Sequence, residues 1–368
     1  MINKWIYNPL TKSQLEIQAQ LADELSINPI LAQLLIQREI YTFDEARNFF
    51  RPDLTNLHNP FLMMDMDKAV NRLTKAMQKN EKILIYGDYD VDGTTSVSLV
   101  YKFLSQYYSN IDFYIPDRYS EGYGISTQGI DFAAEYDFKL IIALDCGIKS
   151  VDKVNYALSF GVDFIICDHH TPDEILPPAA AVLDPKRSDC QYPYKHLSGC
   201  GVGFKLMQAF AITNNIDFAE LTPLLDLLAL SIASDIVPIT GENRILAFYG
   251  LKQINSNPSI GLNAILEVCG LKGKEIAISD IGFKIGPRIN ASGRMKRASE
   301  AVQLLVSTEP NFAKEKSETI NLYNNDRKDL DKHITDEAIA IIKGDEVYNT
   351  RKSIVVHKDD WHKFIRCP

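Results

Sequence analysis

Three aspartates at alternating positions follow one apolar run of the chain. The run is Lys82–Gly87, and Asp88, Asp90 and Asp92 come directly after it, with Gly93 closing the motif. An apolar run that stops at polar residues and glycine is typical of a buried strand that enters a tight turn. Carboxylates this close repel one another unless a positive charge lies between them, and a divalent cation is the simplest candidate.

Two more apolar runs end in residues that could do chemistry. One leads into Asp145, and the other leads into Asp168, His169 and His170. Since ligands of open α/β sheets bind beyond the carboxyl ends of parallel strands, these side chains should meet at one edge of a sheet. We predict that His169 is a metal ligand and that His170 acts directly on the substrate.

Asp145 and Asp235 complete the predicted ligand set. A buried, unpaired carboxylate at the end of a strand is costly, so we predict that Asp145 bridges two cations. Asp235 follows an apolar helical run, where its negative charge opposes the helix dipole, and this favours a ligand role. Carboxylates and imidazole without thiolates suit Mn²⁺ or Mg²⁺. Two such ions stabilise the attacking and leaving oxygens of a phosphoryl displacement, which predicts hydrolysis of a phosphoester or phosphoanhydride.

The first motif also has two alternative interpretations. It opens like an EF-hand calcium loop, but that loop needs a glutamate at its twelfth position, where this chain has Leu99, and a helix rather than a strand before it. An acidic surface turn is the other alternative, and the repetition of acids after neighbouring strands counts against it. The triplet at 168–170 is a weak signal by itself and gains weight only from its place after a strand.

The segment from Lys284 to Arg297 contains five basic residues and no acid. Arg288 and Arg294 offer forked donors for phosphate oxygens, and Asn290 can bridge phosphate or sugar. Gly293 lets a backbone approach a ligand closely. The alternative is a solvated basic loop. Arg118 is a looser candidate for substrate binding, and the glycine-rich segment at 198–204 predicts either a phosphate site at a helix start or close helix packing.

The bulk composition bounds the class of protein. With 368 residues, 46% hydrophobic and 24% charged, the chain is an ordinary globular protein, and its formal net charge of −9 argues against nonspecific coating of nucleic acid. None of the six cysteines forms a C-x-x-C pair, so we expect no zinc knuckle and expect Cys146 and Cys167 to be buried as small hydrophobes. The start Met1–Trp5 lacks a signal-peptide core and no run reaches transmembrane length, which predicts a cytosolic protein without a membrane partner.

Alternation of strands and helices predicts an α/β fold with a parallel sheet and crossover helices. Predicted strands lie near 82–87, 111–115, 140–144, 163–167 and 180–183, and predicted helices include 94–107, 126–136, 150–160 and 221–234. The predicted regions are an N-terminal helical region at 1–75, a catalytic domain at 76–250, its C-terminal part with the basic loop at 251–308, a connecting helix at 309–344, and the start of a truncated second α/β domain at 345–368, with a strand at 353–357.

Taken together, the ordered motifs resemble the DHH phosphoesterase superfamily, and within it the single-strand-specific 5′→3′ DNA exonucleases. The motifs are Gly87–Gly93, Asp145, Asp168–His170, Ser234–Pro238 and Arg288–Arg294. The resemblance implies phosphodiester hydrolysis in DNA repair and recombination, with two Mn²⁺ ions or Mg²⁺ as cofactor. The implied ligands are Asp90, Asp92, Asp145, His169 and Asp235, with Asp88 as a further ligand or supporting acid. The implied catalytic residues are His170 and Asp168, and the residues that hold DNA are Arg288, Asn290, Gly293, Arg294 and Arg118.

The chain departs from this family pattern at its C-terminal end. Trp361 and His362 are followed by Lys363–Pro368 instead of a glycine-rich continuation, so we expect a cleft that lacks its second wall. Two other functions therefore stay open: a phosphodiesterase for short oligonucleotides or cyclic dinucleotides, and an inactive fragment. The resemblance implies single-stranded DNA as the partner, with helicases and single-strand-binding proteins as further partners.

Overall fold

A five-stranded sheet organises the chain. The computed structural model describes residues 6, 8–349 and 351–362, so the sequence features at Met1–Trp5 and Lys363–Pro368, including Cys367, lie outside the described residues. All strands of the sheet pair in parallel, in the order β2-β1-β3-β4-β5. The strands are β1 (Lys82–Gly87), β2 (Ile111–Tyr114), β3 (Phe138–Leu144), β4 (Asp163–Cys167) and β5 (Ala181–Leu183). The predicted α/β class with a parallel sheet is confirmed.

The helices of the described residues include those that cover the two faces of the sheet and others that pack beyond it. They are α1 (Lys12–Glu24), α2 (Pro29–Ile36), α3 (Phe43–Phe50), α4 (Met66–Gln78), α5 (Val91–Leu104), α6 (Thr127–Glu135), α7 (Val151–Ser159), α8 (Gly199–Thr213), α9 (Leu225–Ser234), α10 (Gly241–Ser256), α11 (Ile260–Val268), α12 (Ile278–Asp280), α13 (Gly286–Met295), α14 (Ser299–Val306), α15 (Pro310–Gly344) and α16 (Glu346–Asn349). One core packs α6 and α7 on the sheet, and a larger core packs α4, α5 and α8 on its other face.

Successive residues of β1 show why the strands are apolar throughout. Ile83 and Ile85 enter the larger core, whereas Leu84 and Tyr86 enter the core beneath α6 and α7, and all four are fully buried. Strands of a parallel sheet with helices on both faces bury both sets of side chains, so their sequences are continuous apolar runs.

The N-terminal region is helical, as predicted. Thr11 and Thr42 begin α1 and α3 with capping boxes, in which each threonine side chain accepts a backbone hydrogen bond. These helices and α2 form small cores of their own around Leu21 and Leu35. In contrast, α4 crosses the predicted boundary at residue 75 and packs against β5 and α8.

Two predicted elements differ from the structure. The helix expected at 221–234 begins only at Leu225, because Thr222–Leu224 forms a 3₁₀ turn around Pro223. The prediction of a strand at 353–357 is wrong, because this stretch has no regular secondary structure. Its neighbour Trp361 donates a hydrogen bond from Nε1 to Glu337 on α15, at 2.7 Å. The segment is therefore held by a side-chain contact with the long helix rather than by strand pairing.

The long helix α15 spans nearly the predicted range. Its first half is packed rather than free, because it contacts α11, α13 and α14 and buries Ala313, Ile320 and Asn324. Such burial makes this half part of the domain that carries the sheet.

Among the helices of the described residues, none is both long enough and apolar enough to cross a membrane.

Candidate metal centre

The first acidic motif forms a helix start instead of the predicted tight turn. α5 begins at Val91, and the Asp90 carboxylate caps it by accepting a hydrogen bond from the Gly93 amide at 3.0 Å. Gly93 lies inside the helix, where a Cβ would come within 2.3 Å of the Asp88 carbonyl oxygen. The glycine is needed because α5 packs tightly on the end of β1, and this packing directs the acids to the carboxyl edge of the sheet.

Asp92 is fixed by three donors from two other helices. Its carboxylate accepts hydrogen bonds from the backbone amides of Gly199 and Cys200, at 2.7 and 2.9 Å, and from the Ser231 hydroxyl at 2.7 Å. The start of α8 therefore binds a carboxylate of the protein itself, which favours the packing interpretation of the glycine-rich segment over phosphate binding. Nothing in the sequence around Ser231 indicates this contact.

Asp145 stands at the end of β3 in a strained backbone conformation. Its φ is 59°, a region that non-glycine residues rarely adopt, and its amide donates to the Cys167 carbonyl at 2.9 Å. Burial, and then the charges of Asp92 and Asp90, raise the pKa of Asp145 well above its usual range. Strained residues of this kind persist where the surrounding fold determines them, commonly at functional sites.

The residues after β4 form a bonded pair and a separate imidazole. Asp168 accepts hydrogen bonds from the amides of Ile148, at 2.9 Å, and His169, at 2.7 Å, and its Oδ1 lies 2.8 Å from Nδ1 of His170. Burial raises the pKa of Asp168, but the hydrogen bonds from His170 and the backbone outweigh it, so this pKa lies below the usual value. The same bond raises the pKa of His170, whose side chain is 45% exposed.

His169 points into the acidic cluster. Its Nε2 lies 3.2 Å from Asp145, 3.6 Å from Asp235 and 3.7 Å from Asp92. Burial lowers the pKa of His169, which favours the neutral imidazole that binds metals. The two histidines of the triplet therefore differ in role: one faces the cluster and the other is held by Asp168 towards the open side.

Asp235 caps the C-terminal end of α9, as its position in the sequence indicates. Burial, and then the charges of Asp92 and Asp90, raise its pKa to about 7. The next residue, Ile236, has a φ of 59° and is 87% exposed. A β-branched residue in this region is a genuine conformational outlier.

These side chains form two overlapping groups of potential metal ligands. One contains Asp145, His169 and His170, and the other contains Asp92, His169 and Asp235, with the ligand atoms of each group within 4.8 Å of one another. Asp145 Oδ1 and both ring nitrogens of His169 are buried and accept or donate no hydrogen bond among the described residues. Buried oxygen and imidazole ligands without hydrogen-bond partners fit a divalent cation such as Mn²⁺ or Mg²⁺.

Asp88 and Asp90 lie beside these two groups rather than in them. Asp88 is fully buried, accepts a hydrogen bond from the Gly124 amide at 3.4 Å, and has a pKa raised by burial to about 7. Oδ1 of Asp90 caps α5, and burial raises the pKa of this carboxyl group as well. Both carboxylates add negative charge to the edge where β1 and β3 meet, which is the switch point of the strand order.

The prediction that the basic segment is a loop is wrong. The segment forms α13, which follows a π-helical turn at Ile281–Ile285. Pro287 lies in the first turn of this helix, where proline is tolerated. Arg288 donates to the Lys284 carbonyl at 2.7 Å and to Asn321 of α15 at 2.9 Å. In this structure Arg288 connects two helices.

Gly293 allows close packing within the chain, and its expected part in binding a ligand stays a prediction. A Cβ there would lie 2.6 Å from the Tyr89 carbonyl oxygen, so the glycine lets α13 approach the acidic motif. Asn290 and Arg294, on the same helix, line a cavity with Ser234. The structure thus brings two of the predicted substrate-binding residues next to the metal ligands.

Arg118 also lies at this edge, with its guanidinium 4.0 Å from the centre of the Tyr89 ring. Tyr123, from the same loop, places its hydroxyl 3.4 Å from Nε2 of His170. No local motif indicates this contact, because it depends on the path of a loop that follows β2.

The comparisons with known proteins agree with this architecture. Residues 82–232 match the family model described as "DHH family, N-terminal domain". The chain is 38% identical over 343 residues to the "Single-stranded-DNA-specific exonuclease RecJ" of Bacillus subtilis, covering 93% of this chain and 42% of that protein. It is 32% identical over 373 residues to the protein of the same name from Escherichia coli, covering 96% of this chain and 63% of that protein.

Solved structures give the same result. A crystal structure of exonuclease RecJ bound to manganese has a TM-score of 0.70 and 28% identity, over 77% of this chain and 71% of that one. The Thermus thermophilus RecJ structure in complex with Mn²⁺ has a TM-score of 0.75 and 25% identity, over 88% and 46% respectively. Of the two curated relatives, the chain spans about 42% of the length of the Bacillus subtilis protein and 63% of that of the Escherichia coli protein.

Proposed function

We propose that this chain, which is similar to RecJ exonucleases over more than nine tenths of its length, is a metal-dependent hydrolase that degrades single-stranded DNA from the 5′ end. The observation that carries this proposal is the convergence of His169 on Asp145, Asp92 and Asp235 within 3.2–3.7 Å, beside the pair of His170 and Asp168. The names of the relatives supply the substrate class.

We propose two Mn²⁺ ions, with Mg²⁺ as a substitute, as the cofactor. The ions would be held by Asp92, Asp145, His169 and Asp235, with Asp90 as a further ligand. Asp88 would be a supporting acid that adds negative charge next to these ligands. Bound ions of this kind activate water as a nucleophile and neutralise charge on the phosphoryl oxygens. The protein's part is to keep these ligands in place, and Asp92 and Asp145 are held for this purpose by backbone hydrogen bonds.

The other residues of the site act on the substrate. The Asp168 carboxylate holds the Nδ1 proton of His170, which leaves Nε2 for proton transfer to or from the substrate phosphate or its leaving oxygen. Tyr123 limits the rotation of this imidazole through its contact at 3.4 Å. The DNA backbone accepts hydrogen bonds from Arg118, Asn290 and Arg294, and these contacts hold the DNA strand beside the ions.

The test uses the purified chain, Mn²⁺ and a 5′-phosphorylated single strand labelled at its 3′ end. Progressive shortening that stops in Asp145→Asn supports the proposal, whereas equal rates in parent and variant overturn the site assignment. A labelled dinucleotide is run in parallel. Hydrolysis of the dinucleotide without shortening of the long strand would favour the second function, a phosphodiesterase for short oligonucleotides.

The cytoplasmic location and the helicase and single-strand-binding partners are likewise proposals. The location is supported by free thiols at Cys146, Cys167, Cys190 and Cys200, all buried, because disulfides are rare in reducing compartments. The partners follow from the proposed substrate alone.

A further inference from the structure

A cavity of about 180 Å³ opens beside the candidate metal centre. Val91 and Ser234 form part of its wall, and each is a sequence neighbour of predicted ligands. Asn290 and Arg294 of α13 form another part, and Arg327 of α15 completes it. Three separate helices and the acidic motif thus meet around one space, and two of its lining residues adjoin predicted metal ligands in the sequence.

The chemistry of this wall is that of an anion site. It carries two guanidinium groups and no carboxylate or aromatic ring among the described residues, in a chain with a formal net charge of −9. The volume equals that of roughly six water molecules. A compact, polar cavity of this kind suits a phosphate group better than a nucleobase, which would need an apolar or aromatic surface.

Several polar atoms in this wall are buried without a hydrogen-bond partner among the described residues. They include Ser234 Oγ and Arg327 Nε, both of which can donate a hydrogen bond to an anion. Gly286 leaves room beside the buried Ser234 hydroxyl, because a Cβ at that position would lie 2.6 Å from this oxygen. Buried polar groups are nearly always paired, so unpaired ones around a cavity point to a ligand that pairs them.

Arg327 differs from Arg288 in what it contacts. Arg288 donates hydrogen bonds to the Lys284 carbonyl and to Asn321, and it is not part of the cavity wall. Arg327 lines the cavity and donates from Nη2 to Asn324 of its own helix, at 3.3 Å. The second guanidinium available to a bound phosphate is therefore the one on α15, at a position that the sequence motifs did not include.

We propose that Arg327 is a phosphate-binding residue, and that with Arg294, Asn290 and Ser234 it forms a subsite for a backbone phosphate of single-stranded DNA next to the ions. This inference rests on the proposed function and deepens it. The long helix then contributes directly to substrate binding and is not only a connection between domains. A guanidinium suits this task because its fork matches two phosphate oxygens.

The experiment compares the parent chain with Arg327→Met and with Lys328→Met. Lys328 is exposed on the same helix, so its variant removes the same charge without touching the cavity. Binding of a fluorescent single strand is measured in EDTA over a range of salt concentrations. One lost phosphate contact reduces the slope of log K against log salt by about 0.7 for a single strand. We expect this reduction in Arg327→Met and an unchanged slope in Lys328→Met; equal slopes in all three proteins would overturn the proposal.

Inorganic phosphate provides a probe that does not depend on DNA. We expect phosphate, at constant ionic strength, to raise the melting temperature of the parent and of Lys328→Met but not of Arg327→Met. A phosphate effect that needs Arg327, in a parent that neither binds nor degrades DNA, would support the subsite and refute the DNA function. An active, DNA-binding parent whose phosphate effect survives in Arg327→Met would refute the subsite alone. If Arg327→Met does not fold, Arg327→Lys takes its place, and weaker binding with the parental salt slope is the supporting result.

Discussion

Nδ1 of His170 lies 2.8 Å from Oδ1 of Asp168, while Nε2 of the same ring faces Tyr123. This pair fixes which nitrogen of His170 is available to a substrate. Asp168 itself is held by backbone amides, so the imidazole is oriented by the end of β4.

Replacing Asp168 by Asn should therefore impair turnover while metal binding persists. Loss of a partner that orients an active-site group typically costs about 10–100-fold in activity. The pKa of His170 should fall, because its hydrogen bond to the Asp168 carboxylate is the main cause of the raised value. Steady-state kinetics with Mn²⁺, and an NMR titration of the metal-free protein, measure the two effects. A His170 pKa unchanged in the variant would show that the pair does not govern this ring.

Asp145→Asn should abolish metal binding and stabilise the metal-free protein. The carboxylate is buried beside Asp92 and Asp90, and its raised pKa shows that the charged form is unfavourable there. Asn keeps the shape and tolerates the φ of 59° better than most residues. We expect a higher melting temperature than the parent in EDTA and no further increase with Mn²⁺. Asp131→Asn, at an acid of α6 away from the cluster, serves as the control, and a destabilised Asp145→Asn would contradict this account.

Stability without metal should decrease as the pH rises towards neutrality. Burial raises the pKa of Asp88 and of Asp235 to about 7 in the folded chain, above about 3.9 for an unfolded aspartate. The folded state thus holds more protons, and the free energy of unfolding falls between about pH 4 and pH 7. A bound cation replaces these protons, so the Mn²⁺-induced rise in melting temperature should grow over the same range. Thermal unfolding at a series of pH values, with Mn²⁺ and with EDTA, tests both trends.

The double variant Asp88→Asn/Asp235→Asn provides the control for this pH series. It should make the metal-free profile less steep, since two of the acids whose pKa values are raised are absent, whereas Asp145 and Asp90 still contribute. A profile as steep as that of the parent would assign the dependence to other groups.

Ile236→Gly should stabilise the protein by about 1 kcal/mol, because the backbone there has a φ that disfavours a β-branched residue. The side chain is 87% exposed, so little burial is lost. Ile236→Ala keeps a Cβ and should give a much smaller gain. Urea unfolding of the three proteins measures the difference, and equal stabilities would show that the strain is absent in solution.

The buried pair of Lys205 and Glu242 should be essential for stability. Lys205 is fully buried, and its Nζ lies 2.6 Å from Glu242, which also accepts hydrogen bonds from Tyr192 and from the His58 amide. Removing one partner of such a pair leaves a buried charge and typically costs about 3–5 kcal/mol. Lys205→Met should show this loss in urea unfolding. The double variant Lys205→Met/Glu242→Gln should recover part of it, and a loss that persists in full would indicate a packing defect instead.

The positions of the acids could be predicted because each follows an apolar run. Parallel strands deliver their carboxyl ends to one edge, so Asp145 and His169 had to be neighbours once the strands were recognised. This reasoning does not extend to α13, which follows no strand and was expected to be a basic loop. Glycine and proline usually interrupt helices, but here Pro287 stands at the start, and Gly286 and Gly293 allow contacts with Ser234 and Tyr89.

Contacts between distant segments could not be predicted from the sequence. Ser231 bonds to Asp92 across 139 positions, and Arg327 reaches the cavity from a helix with an unremarkable polar pattern. Neither residue belongs to a local motif, since its role depends only on how the helices pack. The structure therefore identifies residues that hold the predicted ligands in place, whereas the sequence indicated only the ligands themselves.

The anchoring of Asp92 makes the position of this carboxylate a property of helix packing. The carboxylate accepts hydrogen bonds from the Gly199 and Cys200 amides of α8 and from the Ser231 hydroxyl of α9. In zinc fingers, by contrast, the bound ion itself supplies the free energy that brings the ligands together. We therefore expect cation affinity in this chain to respond to substitutions at Ser231, a residue that would not touch the ion, as well as to substitutions of the predicted ligands.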